Sequence, residues 1–321
     1  MGKQKRKTAW YMMVIVSVIL VVIVLFLPIN STTDKDQPSL VTSVLTSIGV
    51  LQSKIEPKTT RIILGGDVML GRSVMAVSLD KQDTTYPFLH IAEFMERGDI
   101  AFVNLENAIV ENCPIVRRDT LKFCARPEML NGLGYADINL VTLANNHSRN
   151  YGEEGYQETL QHLGEAGIKY TDTNLTDFEI NKTVYGFLGL NFTFNEPTEE
   201  DFALVEESAE KVDVLLLSIH WGVEYTADPR EIQREWATEF VRRGADFIAG
   251  HHPHWVQSHE TIDGVPVYYS LGNLVFDQMD FDRTRSGLML ELIYEDGRLM
   301  NVVEVPTFMT NWAQPEVVIK E

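Results

Sequence analysis

Short apolar runs alternate with amphipathic segments from Thr60 onward. The runs are typical of buried strands and read RIILGG from residue 61, IAFVNLE from 100, INLVTLANN from 138, VDVLLLSIHW from 212, DFIAG from 246 and VPVYYSLGN from 265. Helical spacing of apolar residues occupies 86–98, 151–167 and 230–245, each with a glycine at or near its end. The alternation predicts an α/β domain with a buried, mixed sheet over residues 60–321.

The N-terminal region has a different pattern. A basic head, MGKQKRK, precedes an uncharged apolar run over residues 9–27, close to the ~20 residues that cross a membrane as a helix. We expect a cytoplasmic tail at 1–8, a transmembrane anchor at 9–28 and an extracellular stalk with a short amphipathic helix at 29–59, since basic flanks stay inside. A cleaved secretory signal is the alternative, although no small-residue cleavage pattern follows the run.

The overall charge limits the partners of the chain. With 46 acidic against 27 basic residues, the formal net charge is −19, which makes nucleic acid a poor partner. An anionic substrate would therefore have to be held by local groups. Cys113 and Cys124 are the only cysteines, and in an oxidising outer compartment we expect them to form a disulfide. Thiolate metal ligands are the alternative.

Polar residues follow five of the apolar runs where the strands are expected to end. They are Asp67, Glu106, Asn145, Asn146, His147, His220, His251, His252 and His254. Ligands bind at this edge of open α/β sheets, and half-buried polar groups are costly unless they are paired or coordinated. A histidine-rich surface loop would explain AGHHPHWVQSHE at 249–260, but not the other four strands.

The donor types indicate a divalent metal. Carboxylate, amide oxygen and imidazole without thiolate suit Mn, Zn or Fe. The number of donors exceeds what one tetrahedral ion needs, so one or two ions are expected. A pair bridged by a carboxylate is common where phosphoesters are cleaved.

Six motifs together resemble the CapA/PgsA family of capsule synthesis proteins: GGDVMLGR, VNLEN, LANNHSRNYGEEG, SIHWGVEY, GADFIAGHHPHWVQ and YSLGNLVFDQ. They occur in the order in which the family has them. The resemblance implies a calcineurin-like metallophosphoesterase fold, a four-layer αββα sandwich. It also implies a membrane-anchored protein of poly-γ-glutamate biosynthesis or export.

The resemblance carries ligand roles onto matching positions of this sequence. The implied metal ligands are Asp67, Glu106, Asn146, His220, His252 and His254. Glu106 would bridge the two ions, and His147 would be the catalytic residue that polarises the substrate or protonates the leaving group. His251 and His259 are left as hydrogen-bonded neighbours or surface residues.

One position departs from the usual phosphoesterase pattern. Met69 stands where Asp-x-His would place a ligand, and a thioether binds hard divalent ions poorly. The first metal position is therefore expected to be looser. The expectation of ordinary phosphatase activity is weakened accordingly.

Three charged residues are candidates for binding the substrate. Arg72 and Arg126 have the planar fork that holds carboxylate or phosphate, and Glu224 follows the SIHWG motif. Structural salt bridges are the alternative for all three. Trp221 and Trp255 directly follow ligand motifs, so each lines the cleft or belongs to the core.

Two functions remain open from the sequence. The first is a metal-dependent hydrolase or transferase acting outside the cell membrane, of the metallophosphoesterase type. The second is a non-catalytic accessory subunit that binds or guides an anionic polymer such as poly-γ-glutamate and braces the other membrane subunits of a synthase or export complex. Both imply a single-pass protein with its C-terminal domain outside the cell.

Overall fold

The computed structural model describes residues 58–117 and 120–318. The predicted tail, anchor and nearly all of the predicted stalk lie outside these residues. No helix in the described ranges is long and apolar enough to cross a membrane. From Thr59 onward the described residues form one compact unit.

The strands in the described ranges are β1 (Thr59–Val68), β2 (Ile100–Leu105), β3 (Ala108–Ile109), β4 (Cys124–Ala125), β5 (Leu140–Thr142), β6 (Lys169–Thr171), β7 (Thr176–Ile180), β8 (Thr183–Asn191), β9 (Val214–His220), β10 (Phe247–His251), β11 (His259–Ile262), β12 (Val265–Tyr268), β13 (Asn273–Val275), β14 (Ser286–Glu295), β15 (Arg298–Asn311) and β16 (Gln314–Val317). The helices are α1 (Arg72–Asp80), α2 (Ala92–Met95), α3 (Leu130–Tyr135), α4 (Gly152–Glu165), α5 (Glu199–Ala209), α6 (Glu231–Arg242) and α7 (Asp282–Arg285).

Most of these strands form two mixed sheets. The larger sheet has the order β16-β15-β14-β1-β2-β5-β6, and β13 pairs with β1. Its β1, β2, β5 and β6 are parallel, whereas β14 to β16 are antiparallel. The smaller sheet has the order β11-β12-β10-β9-β8-β7, with antiparallel edge strands around a parallel centre.

Alternating side chains of β1 point into different cores, as a strand buried on both faces requires. Ile63 packs with residues of α1 to α4 on the outer face of the larger sheet. Ile62 packs against Phe187 and Leu216 of the smaller sheet. The outer face of the smaller sheet is covered by α5 and α6, through Val205 and Phe240. The layer order is therefore helices, sheet, sheet, helices, and the predicted α/β class is confirmed.

The structure differs from the sequence pattern in one helical segment. Residues 86–98 contain a 3₁₀ turn at Tyr86–Phe88 and the short α2 instead of one helix. Hydrogen bonds from Phe88 N to Thr85 O and from Ile91 N to Phe88 O have the i to i−3 spacing, which tightens the chain and interrupts the helix. Phe88, Ile91, Ala92 and Met95 are still buried in the core, whereas Leu89 is exposed.

Candidate metal centre

The predicted metal ligands come from the carboxyl ends of strands in both sheets. Asp67 lies at the end of β1, and Glu106 directly follows β2. Asn146 follows β5, His220 ends β9, and His252 and His254 follow β10. The two sheets thus face each other with their ligand-bearing edges together. The backbone N–H of His252 donates to Asp67 Oδ2 at 3.4 Å, and with the contacts below it joins all six residues into one network, although their roles as ligands remain a prediction.

A close approach of two strands places Asn273 beside Asp67. A Cβ atom on Gly66 would lie 2.0 Å from the carbonyl oxygen of Gly272, so only glycine allows β13 to pair with β1 here. In this register Asn273 stands opposite Asp67. Asn273 Oδ1 lies 2.9 Å from Nδ1 of His254 and orients that imidazole.

Asp67 is fully buried and surrounded by imidazoles. Its Oδ1 lies 3.0 Å from His251 Nδ1, and its Oδ2 lies 3.2 Å from His254 Nδ1. Burial opposes ionisation, but the hydrogen bonds from His251 and His254 outweigh it and hold the pKa of Asp67 well below its usual value. Asp67 is therefore an anion throughout the physiological range.

Glu106 is also fully buried, but it lacks compensating partners. Its Oε1 has no hydrogen-bond partner among the described residues. The closest imidazole nitrogens to it are His147 Nε2 at 3.8 Å and His254 Nε2 at 3.9 Å. Burial raises the pKa of Glu106 well above its usual value, even though His254 opposes the shift. A buried carboxyl group whose Oε1 has no hydrogen-bond donor is what a cation would stabilise.

The remaining histidines of the cluster have pKa values shifted in opposite directions. Burial lowers the pKa of His254, but the charges of Glu106 and Asp67 outweigh it and raise the pKa to about 9. Burial lowers the pKa of His252 to about 4 and that of His220 well below its usual value. His220 Nε2 lies 2.9 Å from Asn146 Oδ1, and its ring centroid lies 4.8 Å from that of His252. Neutral imidazoles of this kind are ready to act as ligands.

His147 has a fixed orientation next to Glu106. Asn150 Oδ1 accepts from the backbone N–H of Phe123 at 2.8 Å and lies 2.9 Å from His147 Nδ1. Because this oxygen can only accept, Nδ1 of His147 must carry the proton. The lone pair of Nε2 then faces the side of Glu106. Burial lowers the pKa of His147 to about 4, so the ring is neutral at pH 7.

Two residues of the network carry no role in the sequence prediction. Asn104 Nδ2 donates to Asp67 Oδ1 at 2.9 Å and lies 3.4 Å from Glu106 Oε2, and Asn145 Nδ2 donates to Asn104 Oδ1 at 2.9 Å. His251 binds Asp67 directly, as its expected role as a hydrogen-bonded neighbour requires. An asparagine inside an otherwise apolar strand needs a partner, and that signal in VNLEN could have identified Asn104.

The predicted substrate-binding residues lie in different surroundings. The guanidinium of Arg72 is engaged by Asp277 and by the carbonyl oxygen of Thr120, so its fork is already occupied. Arg126 Nε donates to the carbonyl oxygen of Cys113 at 3.1 Å, which ties Arg126 to the loop of that cysteine. Glu224 is exposed, and its charge contributes to the raised pKa of Glu106. The two arginines thus have structural partners, whereas the Glu224 carboxylate lies at the surface near the cluster.

The cysteines, the two tryptophans and His259 each have a defined place in the fold. Cys113 and Cys124 form a disulfide, as expected. Trp221 belongs to the core and donates from Nε1 to the carbonyl oxygen of Tyr269. Trp255 instead lines a cavity. His259 lies half exposed on β11, 3.4 Å from Glu304, and is a surface residue.

Met69 does not substitute for a ligand. It is fully buried in the core on the helical side of the larger sheet, where its sulfur accepts from the backbone N–H of Gly71 at 3.1 Å. The residues left for the predicted first metal position are Asp67, Glu106 and His254. One ligand atom of each lies within 4.8 Å of the others.

The donors of the cluster fit a divalent ion. Two buried carboxylates and an imidazole converge, and the free Oε1 of Glu106 faces two imidazole nitrogens. This oxygen and nitrogen set, without thiolate, suits Mn, Zn or Fe. Asn146, His220 and His252 would supply the donors for a second ion.

Comparison with known proteins places the chain in a sequence family. The family model of the bacterial capsule synthesis protein PGA_cap matches residues 61–185 and 192–278, more than half of the chain. The chain is 28% identical over 260 residues to the capsule biosynthesis protein CapA of Bacillus anthracis, covering 72% of this chain and 63% of that protein. It is 28% identical over 250 residues to the PGA biosynthesis protein CapA of Bacillus subtilis (strain 168), covering 70% and 65%. The matched part therefore spans less than two thirds of the length of these relatives.

A solved structure has a similar fold. A hypothetical protein from Thermus thermophilus superposes with a TM-score of 0.53 at 14% identity, covering 77% of this chain and 98% of that one. At this identity the likeness concerns the fold alone.

Proposed function

Because the chain belongs to the bacterial capsule synthesis family PGA_cap, we propose that it is a metal-dependent hydrolase or transferase of the metallophosphoesterase type in capsule biosynthesis. The substrate would be poly-γ-glutamate or an intermediate of its synthesis or export. The observation that carries the proposal is the buried Oε1 of Glu106, which has no hydrogen-bond partner in the described part of the chain and lies 3.8 and 3.9 Å from the Nε2 atoms of His147 and His254.

The residues of the cluster would have two roles, metal binding and proton transfer. Asp67, Glu106 and His254 would hold one ion, and Asn146, His220 and His252 a second. A bound divalent ion supplies an activated water and neutralises charge that grows on the attacked group. His147 keeps its Nε2 unprotonated, because Asn150 binds the Nδ1 proton. His147 therefore begins as a proton acceptor, and it can donate only after it has taken up a proton.

The first experiment measures metal and turnover on the full chain in detergent. We expect bound Mn, Zn or Fe in the wild type and a strong loss in Glu106→Gln. His147→Ala should keep its metal and lose turnover of a γ-glutamyl or phosphate-ester substrate. His259→Ala is the matched control, since His259 lies on the surface with Glu304. Full turnover in both site variants would exclude catalysis at this cluster.

A non-catalytic accessory role is the second candidate. The buried Met69 in place of a ligand favours it, because the first metal position has one donor fewer than the phosphoesterase pattern provides. Polymer output in a capsule-forming strain separates the two functions. Normal output with a Glu106→Gln, His252→Ala double variant would support the accessory role, and loss of output with intact protein levels would support catalysis.

The location and the partners belong to the same proposal. We infer a single-pass membrane protein anchored by residues 9–28, with the metal centre outside the cell and other membrane subunits of a capsule complex as partners. The uncharged run behind a basic head and the disulfide of Cys113 and Cys124 support this location. Protease added to intact cells should then remove the C-terminal domain, and co-purification should recover membrane subunits.

A further inference from the structure

Three large apolar side chains are the most exposed ones in the described ranges, and all three lie at the edge that carries the candidate metal centre. Phe194, Leu121 and Phe281 are 81%, 80% and 68% exposed. Tyr225 and Val223 are exposed at the same edge. We call these five residues the apolar rim. Single exposed apolar residues are common on protein surfaces, but several at one place mark an interaction surface.

Loops that follow strands of both sheets carry most of the rim. Phe194 follows β8, Val223 and Tyr225 follow β9, and Phe281 follows β13. Because β8 runs parallel to β9, their following loops leave the smaller sheet at the same edge. Phe194 lines a cavity with Gly222, which directly precedes Val223. Tyr225 and Phe281 line a second cavity.

Leu121 reaches the same edge from the loop closed by the disulfide. The carbonyl oxygen of Thr120 accepts from Arg72 Nη1 at 3.0 Å, and the guanidinium of Arg72 also pairs with Asp277. Asp277 lies four residues before Phe281. The apolar rim is therefore carried by four separate loops along the metal-bearing edge.

Exposed cations accompany the three most exposed members of the rim: Lys122 follows Leu121, Arg283 lies two residues after Phe281, and Arg230 lines the cavity of Phe194. These cations stand out in a chain whose net charge is −19. Glu196 and Asp282 lie near two of them, so apolar contact must supply most of the binding. An apolar side chain with a cation beside it suits the boundary between acyl chains and headgroup phosphates of a bilayer.

We propose that the apolar rim docks on the surface of a phospholipid bilayer, so that the metal-bearing edge of the domain faces the headgroups. The core of a protein interface is a continuous packed patch, whereas the rim consists of separate loop tips with two cavities beside them. A fluid bilayer accepts separate tips because its surface adapts to each of them.

The inference uses the proposed location at the cell membrane but not the proposed catalysis. Thirty residues, 29–58, separate the proposed anchor from the start of β1. A chain of this length can reach up to about 100 Å, which is enough for the metal-bearing edge to meet the membrane. A reaction at the metal centre would then take place at the membrane surface.

Fluorescence quenching in lipid vesicles tests the proposal on the full chain. An NBD probe is attached to the added thiol of Phe194→Cys, Phe281→Cys or Met300→Cys, since both native cysteines are in the disulfide. The vesicles contain phosphatidylcholine, phosphatidylglycerol and a doxyl-labelled lipid as quencher. Met300 is the matched control, because it is 58% exposed on β15 and lies at the opposite edge, where β1 begins. The two rim probes should lose several-fold more fluorescence than the Met300 probe.

A substitution elsewhere in the rim tests whether its members act together. Leu121→Asp, combined with the probe at Phe194→Cys, should reduce the quenching several-fold, because a charge replaces an inserted side chain. Met300→Asp should leave the quenching at Phe194→Cys unchanged. Both residues are exposed, so neither change should disturb the fold.

Equal quenching at Phe281 and Met300, quenching at Met300 alone, or no quenching at any position would overturn the proposal. A rim probe that responds to an added anionic polymer but not to doxyl lipid would also overturn it and assign the rim to that polymer. The quenching requires no turnover. Glu106→Gln should therefore keep the quenching of the Phe281 probe, which separates a failure of docking from a failure of the proposed catalysis.

Discussion

Phe123 lies flat against His147, with ring centroids 3.9 Å apart and planes inclined by 18°. The guanidinium of Arg72 also contacts the Phe123 ring, 4.4 Å from its centroid. Phe123 directly precedes Cys124, whose disulfide to Cys113 closes the loop. The covalent loop therefore carries the aromatic side chain that, together with Asn150, fixes the orientation of the candidate catalytic imidazole.

Removing this disulfide should destabilise the domain and loosen His147. For a loop of this length the free energy of unfolding should fall by about 3 kcal/mol in a Cys113→Ser, Cys124→Ser variant. Urea unfolding of the wild type and the variant measures the difference. Added reductant should lower the stability of the wild type to that of the variant and leave the variant unchanged. A variant as stable as the wild type would show that the loop is held by packing alone.

The positions of the candidate ligands could be predicted because their strands are buried on both faces. Asp67 and Glu106 end runs in which nearly every residue is apolar, so a polar side chain there must face the edge of the sheet. His220 and His251 end such runs in the smaller sheet. The apolar pattern predicts these strand ends. The pattern does not show that they belong to two sheets.

Other features depend on contacts between distant segments. The half-exposed β15 has no clear strand pattern, and its pairing with β14 forms it. The stacking of Phe123 on His147 and the engagement of Arg72 by Asp277 join segments far apart in the sequence. From its residue type, Arg72 could bind the substrate or form a structural salt bridge. The contact with Asp277 shows that its guanidinium forms a structural ion pair.

Replacing Glu106 with Gln should have opposite effects with and without metal. Because burial raises the pKa of Glu106 well above its usual value, its ionised form destabilises the metal-free fold as the pH rises above about 4.3, the pKa of an unfolded Glu. At pH 8 with chelator, Glu106→Gln should therefore unfold at a higher temperature than the wild type. With added Mn or Zn the wild type should gain stability and the variant should gain little. Differential scanning calorimetry with and without chelator measures both effects, and an equal metal-induced gain in the two proteins would exclude Glu106 as a ligand.

Metal binding should release protons and strengthen with pH. The raised pKa of His254, about 9, means that its proton stabilises the metal-free fold fully below about pH 6.5 and is lost as the pH rises through about 9. A metal ion must displace this proton and the one held by Glu106, so affinity should rise between pH 6 and pH 9. Calorimetry in two buffers of different ionisation enthalpy should detect one to two protons released per ion at pH 7. His254→Asn should release fewer, whereas His259→Asn should match the wild type.

Arg72 and Asp277 should stabilise the fold as a pair. Their side chains are 8% and 0% exposed, so removing one partner leaves a buried charge without compensation, at a cost of about 3–5 kcal/mol. Arg72→Met should therefore lower the free energy of unfolding by about that amount.

Arg72→Met combined with Asp277→Leu should recover part of the loss, because neither charge is then buried. Urea unfolding of the four proteins in this double-mutant cycle gives the coupling energy. Arg117 and Asp80, whose side chains are 57% and 67% exposed, provide the control, and Arg117→Met should cost under about 1 kcal/mol. If Arg72→Met is as stable as the wild type and instead weakens substrate binding, Arg72 is the substrate clamp that the sequence first suggested.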